Sequence, residues 1–186
     1  IDADLIAHEC MMPGSKGYKK VCLAFGPGIL GTDKKIDRKK LGKLVFGNKK
    51  LLNRLNSILW PQILDVIRDK INKSRSRMVV LDAPLLIEAK ANELVDRILV
   101  INISRKEQLS RIQKKSGLDK KEIVKRLKSQ FPLSLKLRLA DFVIDNNGKL
   151  TETKRQARSI LKKIRSERID SLCRRAKEYS LHELSH

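Results

Sequence analysis

Short apolar runs that stop at an aspartate recur along this chain, and they constrain its fold more than any other feature. Met78-Val79-Val80-Leu81-Asp82 is one such run, and Phe142-Val143-Ile144-Asp145 is another. Arg97-Ile98-Leu99-Val100-Ile101-Asn102 has the same character but ends on an amide, and the chain opens with Ile1-Asp2-Ala3-Asp4. Continuous apolar runs of this length predict strands buried on both faces. Helical patterns lie between them, and that alternation predicts an α/β fold built on a parallel sheet. In such sheets ligands bind beyond the carboxyl ends of the strands, which is where these acids fall.

The intervening segments carry their own punctuation. Ser15 to Phe25 reads as a helix closed by Gly26-Pro27-Gly28, and Arg38 to Phe46 as another with Asp37 as its N-cap. From Asn48 to about Asn72, Leu51, Leu52, Leu55, Ile58, Leu59, Ile63, Leu64, Ile67 and Ile71 keep helical spacing. Pro61 is expected to end or kink that helix near Trp60. Arg105 to Lys114 predicts a further helix, Gly117 breaks it, Asp119 caps the next, and Pro132 closes that one. A last helix is predicted from about Thr151 to beyond Arg174, with Ile160, Leu161, Ile164, Leu172, Cys173 and Ala176 on its apolar face.

A net charge of +21 on 186 residues calls for polyanionic partners: nucleic acid, an acidic membrane surface, or small phosphates. Charge alone does not choose among them. Cys10, Cys22 and Cys173 are odd in number and widely spaced, which argues against a disulfide framework or a zinc site and favours a reducing compartment, the cytoplasm or an organelle matrix. No run approaches the roughly 20 apolar residues that cross a bilayer. The chain opens without Met or a signal-peptide pattern, as though in mid-strand, and the expectation is a sequence lacking its beginning.

Taken in order, the motifs resemble those of the dephospho-coenzyme A kinases. Ile1-Asp2-Ala3-Asp4 with His8 is similar to the family's I-D-A-D strand end. Phe25-Gly26, Ile36-Asp37-Arg38-Lys39-Lys40-Leu41 and Val45-Phe46 follow a second family stretch, and Trp60-Pro61 stands where the family has His-Pro. Leu81-Asp82-Ala83-Pro84-Leu85-Leu86-Ile87-Glu88, the Ser116-Gly117-Leu118 turn, Arg126 with Gln130 and Pro132, and Ala140-Asp141 through Ile144-Asp145-Asn146-Asn147-Gly148 complete the likeness, which spans roughly Ile1 to Ile164.

The resemblance implies a three-layer αβα parallel sheet of the P-loop nucleotide kinase type, with a helical substrate-binding region at about 14–72 and a helical lid at about 111–132. The kinase-like domain would be 1–164 and the basic tail 165–186. The implied reaction is ATP-dependent phosphorylation of the ribose 3′-hydroxyl of dephospho-CoA, the last step of coenzyme A biosynthesis, with Mg²⁺. Asp4 would be the catalytic base, and Asp2 would help place the hydroxyl or the metal. Strand alternation would turn Asp2 and Asp4 to one side. Asp82 resembles the acid near metal and phosphates, and Leu85 and Glu88 belong to the substrate-side loop. Arg111, Arg126 and Arg138 match or lie near basic positions that contact ATP, with Lys136 as an alternative to Arg138. Asn146 falls where the family contacts adenine, or else it belongs to a plain Asn146-Asn147-Gly148 turn.

The departures are equally specific. No G-x-x-x-x-G-K-[ST] loop occurs, so the family's first strand and phosphate loop are absent from this chain; that strand is expected between the strands ending at Asp82 and Asn102. Ser116 replaces the family's Asp before the lid Gly, and Lys115 its Arg. Without a phosphate loop, the alternative reading is a catalytically inactive, kinase-like basic protein that binds nucleic acid. A related nucleoside or nucleotide kinase is a third. The basic helices from Arg111 to Arg126 would be a cationic flap over phosphates or a solvated face. Two motifs are set aside. His182-Glu183-Leu184-Ser185-His186 has the zincin spacing but no downstream third ligand. Gly26-Pro27-Gly28-Ile29-Leu30-Gly31 has dinucleotide-loop spacing but follows a helix.

Overall fold

A computed structural model describes the backbone of residues 1–183 and the side chains of residues 1–167. The C-terminal apolar positions Leu172, Cys173 and Ala176, most of the basic tail and the terminal His-Glu-x-x-His pattern therefore lie outside the described side chains. Two compact units share the chain, one formed by Ile1–Asp96 with Ile112–Pro132, the other by Arg97–Arg111 with the chain from Leu133 onward.

The first unit is helical around a long central element. Its helices are α1 (Ala3–Glu9), α2 (Lys16–Phe25), α3 (Arg38–Val45) and α4 (Lys49–Lys73), and α1, α2 and α3 all pack on α4. Ser15, Asp37 and Asn48 cap α2, α3 and α4, each accepting a backbone N–H of the first turn. Such caps satisfy donors that a helix start leaves orphaned. Val21, Ile29, Ile36, Leu41, Val45 and Leu59 form the core, and the α4 residues Leu51, Leu52, Leu55, Ile58 and Ile63 pack around it. Fully burying each such side chain stabilises by about 1.5–3 kcal/mol. No charged or polar residue is buried among the described residues.

Pro61 does not end α4, which runs unbroken from Lys49 to Lys73. Proline leaves one carbonyl of the preceding turn without its amide donor. The apolar stripe before and after the proline packs into a single core, so burial outweighs the local defect.

Two expected strands are shorter than predicted. Ile1-Asp2 pairs with the Met78–Asp82 run only through an isolated parallel bridge, Asp2 with Asp82. Three hydrogen bonds make it: Ile1 N to Val80 O at 2.8 Å, Asp82 N to Ile1 O at 2.8 Å and Ala3 N to Asp82 O at 2.9 Å. A longer ladder needs an extended partner, and this one turns helical at Ala3. Val80, expected inside, is 70% exposed.

The second unit holds the regular sheet. Strands β1 (Leu99–Asn102) and β2 (Phe142–Asp145) pair in parallel, Leu99 opposite Phe142 and Asn102 opposite Asp145. Helix α5 (Arg105–Ser116) follows β1 and crosses the division between units after Arg111. Helix α7 (Leu133–Arg138), which no sequence signal announced, packs on β1. Helix α8 (Leu150–Glu183) packs on β2, with Lys163 5.6 Å above the Phe142 ring. Only Ile144 of the pair is buried; Leu99, Ile101 and Val143 are partly exposed, unlike the strands expected to be covered on both faces. Helix α6 (Lys120–Lys128) belongs to the first unit and buries Ile123.

Gly17 offers a test of this packing. A Cβ there would overlap the Cys10 carbonyl oxygen, which already accepts the Ser15 hydroxyl at 2.6 Å, and would press on Leu59. Gly17→Ala is expected to lower stability by about 1–3 kcal/mol despite alanine's better helix propensity. Urea unfolding reads this, and a raised midpoint would contradict the close approach.

Candidate active site

Three carboxylates converge where the Asp2–Asp82 bridge meets the start of α1. Asp2 is not a strand residue facing the same way as Asp4. It is the N-cap of α1, with φ −98° and ψ 111°, and its Oδ1 accepts the Leu5 N–H at 2.9 Å. Asp4 sits in the first helical turn. The expected alternation along a strand is therefore replaced by a cap geometry, because the backbone turns helical at Ala3. The acids still come together, since the bridge sets Asp82 beside this turn.

The consequence is electrostatic. Partial burial raises the Asp4 carboxyl above its ordinary value of 3.8, and the negative charges of Asp2 and then Asp82 raise it further. Arg38, at the start of α3, pulls the other way. Like charges sharing a site disfavour ionisation, and a nearby cation restores part of it. Arg38 belongs to the Ile36–Leu41 motif, but the motif alone does not point to this contact. Its signal was the capping Asp37 immediately before it, which fixes the first turn of α3.

Beyond Asp82 the chain folds into a tight turn, with Leu86 N–H donating to Ala83 O and Ala89 N–H to Leu85 O. Leu85 and Glu88 lie on this turn, half-buried. Glu88 Oε1 accepts the Phe131 N–H at 2.9 Å, joining the turn to the end of the predicted lid. Arg126 stands on α6 with its guanidinium 5.1 Å over the Phe46 ring.

Arg111, Arg138 and Asn146 belong to the second unit. Arg111 pairs with Glu107 at 2.8 Å along α5, and Arg138 closes α7. Asn146 N–H donates to Asn102 O, and its Oδ1 accepts the Thr153 hydroxyl at 3.0 Å. The dinucleotide-like glycine run forms a short 3₁₀ turn, Pro27–Ile29, after α2, in keeping with its reading as a loop. A shallow groove of about 320 Å³ between α2 and α4, lined by Lys20, Leu23 and Arg54 among others, shares no residue with the acids.

A metal held by protein alone has no place among the described residues, where no three His, Cys, Asp or Glu groups could bind one. Magnesium in phosphoryl-transfer sites typically takes one or two carboxylates and fills its shell with water and substrate phosphates. Asp2 and Asp82 add negative charge beside the partly buried Asp4, and such a cation would offset it. The carboxylates present fit that kind of ion.

The family model for dephospho-CoA kinase (CoaE) matches residues 1–152. The chain belongs to the dephospho-CoA kinase family. It is 46% identical over 166 residues to the dephospho-CoA kinase of Carboxydothermus hydrogenoformans, covering 88% of this chain and 81% of that protein. The Geobacillus kaustophilus dephospho-CoA kinase is 40% identical over 165 residues, covering 87% and 82%. Among solved structures, the Campylobacter jejuni dephospho-CoA kinase is 29% identical with a TM-score of 0.60, covering 88% of this chain and 83% of that one. A Thermus thermophilus protein, 23% identical over the same shares, has a TM-score of 0.69 and supports the fold. Membership makes the chain an ATP-dependent kinase of the P-loop α/β class. Among the described residues no helix is long and apolar enough to cross a membrane.

The shifted acid predicts a pH signature. Because Asp4 holds its proton more tightly folded than unfolded, its favourable contribution is complete below 3.8 and is lost as pH rises through its folded-state value. Above that value its ionisation opposes folding. Asp4→Asn is therefore expected to unfold at higher urea concentration than the native protein at neutral pH, with the gap closing on acidification. An equal or lower midpoint at neutral pH would contradict the crowding of charge.

Proposed function

We propose that this protein transfers the γ-phosphate of ATP to the ribose 3′-hydroxyl of dephospho-CoA, with Asp4 as the general base. The observation that carries the reading is the convergence of Asp2, Asp4 and Asp82, opposed by Arg38, in a chain of this family. As the 3′-oxygen bonds to the γ-phosphorus, its proton passes to an Asp4 carboxylate oxygen. The bond to the β,γ-bridging oxygen breaks, and ADP leaves with that electron pair. A base works best when its pKa lies nearer the working pH, and both burial and the neighbouring acids move Asp4 that way.

Phosphoryl transfer asks the protein mainly for positioning and charge stabilisation. Asp82, with Asp2 beside it, would hold Mg²⁺ together with the nucleotide's phosphates. When bound, the ion would neutralise charge developing on the phosphate oxygens. Asp2 also fixes the start of α1 through its cap, and so the position of Asp4. Leu85 and Glu88, on the turn after Asp82, would shape the acceptor side. Arg126 would supply positive charge to a substrate phosphate. The ATP assignments of Arg111, Arg138 and Asn146 rest on the family resemblance. A cytoplasmic location suits a chain whose cysteines show no disulfide or zinc pattern.

The test is turnover of the natural full-length protein with ATP and dephospho-CoA, following ADP and the 3′-phosphorylated product. Asp4→Asn is expected to lower kcat by about 10²–10⁴-fold while nucleotide affinity, read by calorimetric titration, stays near that of the native protein. Native turnover in the variant would sink the assignment of the base. Nucleosides that compete as acceptors would redirect the substrate to another kinase class.

A further inference from the structure

Helix α3 presents a single ridge that meets both the acidic cluster and the lid. Arg38, Gly42 and Phe46 lie at successive i+4 positions, which align in one row on a helix surface. Arg38 at one end acts on Asp4. Phe46 at the other, about 12 Å along the axis, lies beneath the guanidinium of Arg126 at 5.1 Å. Between them Gly42 contributes no side chain. A Cβ there would make only ordinary contacts, 3.4 Å from the Phe46 ring and 3.8 Å from an Arg126 terminal nitrogen.

The rest of Arg126 is held as firmly. Ile123, one turn earlier on α6, is 1% exposed, and the Arg126 carbonyl accepts the Ser129 hydroxyl at 2.7 Å. Phe131 N–H is fixed to Glu88. Yet the guanidinium makes no ion pair or side-chain hydrogen bond among the described residues. Stacking occupies the face of a guanidinium and leaves the in-plane N–H donors unspent, in a fork that matches phosphate oxygens.

We propose that Phe46 is a positioning residue for phosphoryl transfer. It holds Arg126 over its ring so that the free N–H donors of the guanidinium meet a phosphate of a bound nucleotide. The inference rests on the kinase reading for its substrates, ATP and dephospho-CoA, both of which carry phosphates. It does not depend on Asp4 being the base.

Phe46→Leu keeps the apolar volume and removes the ring quadrupole. In the natural full-length protein it is expected to raise KM for one nucleotide about three- to thirty-fold, the range of a cation–π contact, with a smaller change in kcat. A rise confined to ATP assigns the phosphate to the donor, and one confined to dephospho-CoA assigns it to the acceptor. Phe46→Trp is expected to retain native KM, and Phe46→Leu combined with Arg126→Lys to lose no more than Arg126→Lys alone. A Phe46→Leu variant that unfolds more easily but keeps both KM values overturns the inference, as does full additivity with Arg126→Lys. Calorimetry with inorganic tripolyphosphate separates the two readings. Weakened binding in Phe46→Leu, in a native protein without turnover, would retain the phosphate seat and sink the kinase reading. Unchanged binding and unchanged KM overturn the seat while normal turnover leaves the kinase reading standing.

Discussion

The backbone clamp between Asp82 and the segment Ile1–Ala3 is the interaction on which the rest of the candidate site depends. Asp82 donates its N–H to Ile1 O and accepts the Ala3 N–H, so two hydrogen bonds join segments some eighty residues apart. Immediately after that clamp the chain turns helical under the Asp2 cap, which brings Asp4 to the same place. Three acids so placed repel one another, and a fold optimised only for stability would separate them. Their persistence, eased by Arg38, fits the general pattern in which perturbed carboxylates gather where chemistry needs them.

The clamp in turn needs a rigid platform, and α4 supplies it. Its apolar stripe supports α1, α2 and α3 together, so the position of Asp4 on α1 and of Arg38 on α3 derives from one core. Helix α3 links the parts of the site. Its first turn bears the cation that tempers Asp4, and its C-cap residue, Phe46, lies under the lid arginine. The lid segment adds the buried Ile123 and the Phe131–Glu88 hydrogen bond, each a local tie rather than a broad interface.

Much of the fold was legible because its signals are local. The helix starts at Ser15 and Asn48, the cap Asp37, the breaker Gly117 with φ 63° and the strand character of the apolar runs at 99–102 and 142–145 all follow from side-chain chemistry a few residues long. The acids were legible too, since runs ending in Asp2, Asp82 and Asp145 place carboxylates at strand ends. What misled was equally local. Pro61 reads as a breaker, and apolar Met78–Leu81 reads as a full strand, because neither signal contains the long-range partner that decides the outcome.

The sequence by itself determined the element types, the family and the identity of the acids, since periodicity, caps and motif order are written in neighbouring residues. Tertiary structure decided that Asp2 caps a helix rather than sharing a strand face with Asp4, that α4 runs through its proline, that Arg38 comes near Asp4 and that Phe46 lies under Arg126. Those outcomes depend on burial and on charges brought together from distant segments. Arg38 acts on Asp4 from thirty-four residues away, and Arg126 rests on a ring eighty residues earlier in the chain. Spacing along a sequence carries no record of such distances, because only the packed core sets them.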